Sequence, residues 1–135
     1  MNIFIWALIV IFIMCIISVW IFLGLNFKKK YRISDYKRKY FYSQLESISS
    51  YNSYKWQIID LDKLYHKILL EAWYFWSFWE ILKQEPSEIE NINKIWELHK
   101  IRNSIVHDFT PTFENVLKEK SIDYENEIKK LLNKF

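Results

Sequence analysis

The 135-residue chain sets 19 lysines and arginines against 16 aspartates and glutamates, a net charge of only +3, which by itself is too small to argue for strong nucleic-acid binding. Its one glycine, Gly24, excludes a glycine-rich phosphate loop and a dinucleotide fingerprint. Its one cysteine, Cys15, excludes a disulfide framework and a thiolate metal site.

The first 27 residues carry no charged side chain, and Ile3 to Leu25 is an almost unbroken run of Ile, Phe, Val, Leu and Trp. That length matches the ~20 residues a helix needs to cross a bilayer, so residues 1–27 are expected to form a single transmembrane anchor. A cleaved signal peptide fits poorly: no basic residue precedes the run, its apolar core is long, and no small-residue cleavage site follows. Lys28, Lys29, Lys30, Arg32, Lys37, Arg38 and Lys39 crowd the C-terminal flank against Asp35 alone. Such an excess stays on the cytoplasmic side, placing the N-terminus outside and the rest of the chain within the cell. The same cluster attracts anionic lipid at ~1 kcal/mol per cation, which also raises the idea of a lipid sensor.

Residues 28–53 read as a basic juxtamembrane helix, running to about Glu46, and then a Ser-rich linker. From Tyr54 to about Lys83, the apolar positions Leu61, Leu64, Tyr65, Ile68, Leu69, Ala72, Trp73 and Trp76 recur at three- and four-residue steps. This predicts one amphipathic helix, with Asp60, Asp62, Lys63 and Lys67 on its outer side. The block Trp73–Trp79 has more rings than a small core absorbs, so part of it is expected to face a second subunit or, less favoured, the membrane interface.

Pro86 ends that helix, and Ser87 with Glu90 spells a capping box. A further helix spans Ile95–His107. Thr110-Pro111 supplies an N-cap and first-turn proline for the last one, whose buried stripe is Phe113, Val116, Leu117, Tyr124, Ile128, Leu131 and Phe135. No segment alternates like a strand and no internal repeat is present. The expected fold is all-α: one N-terminal transmembrane helix followed by a small antiparallel bundle of about four helices over 54–135.

The chemistry-bearing residues lie on the Ile95–His107 helix. His99, Asn103 and His107 fall at i, i+4 and i+8 along one edge, with Arg102 between that edge and the apolar residues Ile95, Leu98 and Val106. Two histidines eight residues apart, with no cysteine or suitably spaced Glu, make a weak zinc site. A structural reading pairs Arg102 with Glu97, Asp60 or Asp62, makes His99 a satisfied interior histidine, and sets His107 against the helix C-terminus; for His66 only a structural role is expected. The chemical reading uses RNA's own 2′-hydroxyl as nucleophile. An imidazole serves as acid or base at neutral pH, a guanidinium fork suits phosphate oxygens, and an amide orients the imidazole or donates to the phosphate. Neither a metal nor a cofactor is required.

The string Trp-Glu-x-His-Lys-x-Arg-Asn-x-x-x-His, from Trp96 to His107, resembles the signature of HEPN domains. The likeness extends upstream to Ile58–Leu64 and covers roughly Trp56 to Leu132, and the N-terminal anchor is similar to that of small bacterial proteins joining one membrane helix to such a domain. Arg102, Asn103 and His107 fall on the motif positions. The resemblance implies a HEPN-like helical bundle and a metal-independent endoribonuclease whose site forms where two subunits bring their Arg–His pairs together. It also implies that a sizeable share of members perform no catalysis and act as binding or scaffold modules. The partners it suggests are the membrane, RNA, a second copy of the chain, and an inhibitory protein.

Overall fold

The computed structural model describes Trp6 and residues 10–19, 33–72, 74–107 and 113–135, and it divides into two compact units, Met1–Tyr31 and Arg32–Phe135. In the first unit, residues 10–19 are helical and exposed throughout, from Val10 and Phe12 to Ile17 and Val19. Ten helical residues rise only ~15 Å. Among the described residues no helix is long and apolar enough to cross a membrane; most of the Ile3–Leu25 run outside 10–19 is not described.

The second unit is built entirely from helices among its described residues: α1 (Asp35–Ser49), α2 (Tyr54–Glu71), α3 (Phe78–Lys83), α4 (Ile92–His107) and α5 (Glu114–Lys134). The bundle is organised around α2, which packs against α1, α4 and α5. It buries Ile58, Ile59, Leu61, Leu64, Tyr65, Ile68 and Leu69, an apolar surface wide enough for several neighbours. Those neighbours contribute Phe41, Leu45 and Ile48 from α1, Ile95, Leu98 and Ile105 from α4, and Tyr124, Ile128, Leu131 and Leu132 from α5.

Several expectations are corrected. The segment read as juxtamembrane helix and linker is α1, which reaches Ser49 and belongs to the bundle core, so the unit begins at Arg32 instead of 54. Ser34 starts α1, its hydroxyl accepting from the Lys37 amide. The predicted 54–83 helix is two helices. Its break has a local cause: Ser77 accepts from the Glu80 amide while the Glu80 carboxylate accepts from the Ser77 amide at 3.1 Å, a reciprocal cap that starts α3 afresh. Bulky rings before it gain little from continuing a helix.

The capping box therefore sits at Ser77–Glu80, not Ser87–Glu90. Ser87 donates to Glu88, Glu90 pairs with Lys134 at 2.9 Å, and α4 is started by Asn91, whose side-chain oxygen accepts from the Lys94 amide. Trp76 is exposed, and so is Phe113, at 79 %, whereas Ser121 and Leu132 are buried. Trp73 and the Thr110-Pro111 start signal lie outside the described residues.

Hydrogen bonds from Ser77 hold the Glu80 carboxyl below its usual range. A depressed carboxyl stabilises the fold above its unfolded pKa of ~4.3, and that contribution disappears as pH falls through the folded value. Ser77→Ala should cost about 1 kcal/mol in urea unfolding at neutral pH, with a smaller penalty in acid, where the Glu80 half of the cap is already lost. An equal penalty at both pH values would show that the reciprocal bond contributes nothing.

Candidate functional site

The sequence-predicted residues of α4 meet α2 and α5 at Asp62. This side chain was expected on the outer side of its helix; it is instead 5 % exposed. Asp62 Oδ1 accepts from the Tyr124 hydroxyl at 2.6 Å and lies 2.8 Å from His99 Nδ1. Arg102 Nε sits 3.5 Å from Asp62 Oδ2, in ion-pair range but not aligned as a hydrogen bond, and this buried N–H has no other acceptor. Of the three carboxylates that the sequence offers Arg102, only Asp62 is used. Glu97 pairs with Lys120 at 2.7 Å and Asp60 with Lys63 at 2.8 Å.

The remaining contacts close a circuit. Arg102 Nη1 donates to Asn103 Oδ1 at 2.8 Å, and Asn103 Nδ2 lies 3.2 Å from His99 Nε2. A guanidinium can only donate, so Asn103 must turn its oxygen toward Arg102 and its amide nitrogen toward His99. His99 Nε2 must then accept, so the ring proton sits on Nδ1 and points at Asp62. Every bond in the ring Asp62–His99–Asn103–Arg102 is thus assigned a direction by the one member that cannot accept.

Packing reinforces that orientation. The His99 ring meets the edge of Phe78 at 4.8 Å between centroids, and Trp96 packs against Trp79 at 4.5 Å. Burial and the adjacent Asp62 carboxylate push the Tyr124 phenol well above its ordinary range, keeping it a donor. A second buried polar pair, Ser121 donating to Gln57 Oε1, ties α5 to α2 a turn away.

Arg102 and Asn103 are therefore brought together, and His99 joins them as the interior histidine expected. His107 is the last residue of α4 and is exposed; among the described residues it makes no hydrogen bond, and the anticipated Asn103–His107 contact is replaced by Asn103–His99. Of the apolar residues named beside Arg102, Ile95 and Leu98 are buried and Val106 is exposed, while Ile105 is buried. His66 has only structural contacts, a bond to the Trp76 carbonyl and a stack on Phe78.

On its outer side Arg102 lines an open groove of about 360 Å³ with Lys55, Trp56, Ile59, Lys63, Ile105 and Val106. Trp56 is 58 % exposed there. Composition alone did not reveal this groove, because its basic residues come from two helices. The sequence reading missed that Asp62 is buried; the one local hint is that it falls on the stripe of Ile58, Tyr65 and Leu69 at −4, +3 and +7, against the ordinary expectation for a charge. Among the described residues no group of three His, Cys, Asp or Glu side chains could hold a metal ion.

No family model matches the chain, and neither the curated proteins nor the solved structures contain a significant match. The HEPN-like reading rests on the Trp96–His107 string and on the helical architecture that carries it.

Proposed function

We propose that this is a membrane-anchored, HEPN-like module that binds single-stranded RNA along the Arg102 groove and, as a homodimer, cuts it without a metal. Residues 1–27 are the anchor, oriented with the N-terminus outside and the bundle in the cytoplasm. Support for the anchor comes from the 10–19 helix, which is apolar on every side and exposed on every side, a surface suited to lipid. The observation that carries the RNA reading is the convergence of Arg102, Lys55 and Lys63 on one groove beside an exposed indole. Cations there track phosphates and the indole gives a base a stacking face. His107, next in sequence to groove residue Val106 and without a hydrogen bond among the described residues, is the proton carrier; Arg102 offers the groove its remaining N–H groups for the charge gathering on phosphorus. Asn103 acts by holding Arg102.

The full chain in vesicles or detergent should cleave labelled single-stranded RNA in the presence of a chelator. Lys55→Ala should weaken RNA binding and lower the slope of log affinity against log salt by about 0.7. A slope unchanged by this substitution would remove the groove from the binding surface.

The closed circuit favours a second reading. Arg102 and Asn103 spend much of their bonding capacity on Asp62, His99 and each other. On this reading the motif is a structural clamp and the protein a non-catalytic, membrane-tethered scaffold, which predicts no cleavage of any RNA.

A further inference from the structure

The groove and the Asp62 circuit leave one prominent feature without a role: the rings in and after the α2–α3 connection. Phe75 is 73 % exposed, Trp76 55 % and Trp79 about half. Leu70 and Tyr36 are exposed nearby in the chain order of α2 and α1. Lys83 lies over the Trp79 ring, 4.9 Å from its centroid.

These rings share an end of the bundle with the start of α1. Lys37, in the first turn of α1, pairs with Glu71, the last residue of α2, at 3.1 Å. The start of α1 therefore lies beside the point where α2 gives way to Phe75 and Trp76. Only five residues separate Phe27, the last of the uncharged run, from the buried Ile33. Fully extended, the six steps between them span at most ~22 Å.

We infer that the Phe75–Trp76–Trp79 end of the bundle docks on the bilayer interface, with acyl chains and headgroups, not a second copy, as its occupant. The inference rests on the anchor reading above. With the apolar run in the membrane, a tether of this length keeps this end within reach of the headgroups. Tryptophan and tyrosine favour that zone, where one edge of the ring is apolar and the other wet. The basic residues from Lys28 to Lys39 draw the same end toward anionic lipid.

The acidic groups at this end offer little opposition. Glu71 is paired with Lys37, Glu80 is held in its cap, Glu88 accepts from Tyr74, and Glu90 pairs with Lys134. Glu85 is left without a cation among the described residues.

Nitroxide labels on the full chain in phosphatidylcholine–phosphatidylglycerol vesicles test this. One label goes on the native Cys15; in a Cys15→Ser background, others go on Trp76→Cys and on Asn52→Cys, in the α1–α2 connection at the opposite end. The expected result is that the Cys15 and Trp76→Cys labels both lose accessibility to a water-soluble nickel relaxer and gain it to oxygen. The Asn52→Cys label should stay open to nickel, and adding Phe75→Ser should return the Trp76→Cys label toward water. A Trp76→Cys label as open to nickel as the Asn52→Cys label, with Cys15 in lipid, overturns the docking and leaves the anchor standing. A Cys15 label open to nickel overturns both. Spin–spin broadening between Trp76→Cys labels shows a second copy on this face and overturns lipid as its occupant.

Discussion

Asp62→Ala is expected to destabilise the bundle by about 3–5 kcal/mol, a large share of what a domain of this size possesses. The cost does not come from the lost carboxylate alone. Its removal strands the Tyr124 hydroxyl and the His99 Nδ1 proton in the interior and takes the ion-pair partner from Arg102. Each stranded donor keeps its desolvation penalty without a partner. Asp62→Asn should fall between, because the amide oxygen still accepts from Tyr124 and His99 while its NH2 meets the Arg102 donor. Urea unfolding of the full chain in detergent, followed by helical circular dichroism, measures both. A loss below about 1 kcal/mol for the alanine variant would put it in the range of ordinary substitutions and show that the circuit is not holding the helices together.

The second large effect separates the two histidines of the motif string. His107→Ala should lower the rate of metal-free RNA cleavage about 10²–10⁴-fold, the usual contribution of a positioned proton carrier. Its effect on stability should stay within about 0.5 kcal/mol, since the side chain is exposed and makes no hydrogen bond among the described residues. His99→Ala should behave in the opposite way. It leaves the Asn103 amide without its acceptor, removes a donor from Asp62 and empties the space against Phe78. A stability loss of about 2–3 kcal/mol follows, with cleavage by the remaining folded protein close to wild type. Cleavage that survives His107→Ala removes that residue from the chemistry. Inertness of all three proteins on every RNA tried leaves the scaffold reading.

What was legible in the sequence was what local periodicity encodes. The string Ile95–His107 reads as a helix because its apolar residues keep a three- and four-residue rhythm, and α4 covers all of it. The i, i+4 step from His99 to Asn103 correctly made those side chains neighbours. The failures are non-local. Asp62 looks like a surface charge until the donors of α4 and α5 are placed around it, from positions 37 to 62 residues away. α1 reads as a juxtamembrane helix outside the bundle because Phe41, Leu45 and Ile48 are sparse among charges, yet α2 offers them a matching apolar face. The α2–α3 break was a competition between two local signals: a run of rings that fits helical spacing, and a serine cap that fits better one turn later. Phe113 reads as core by composition but precedes the first turn of α5, before that helix meets its neighbours.

The one-way order of protons around Asp62, His99, Asn103 and Arg102 also bears on how this chain can diverge. Exchanging any single member for a residue of opposite hydrogen-bonding character sets two hydrogens, or two lone pairs, against each other at the next position. A replacement at one of these four sites is therefore expected to be best tolerated when its neighbour in the quartet changes with it, whereas the exposed imidazole a turn further on is free of that constraint.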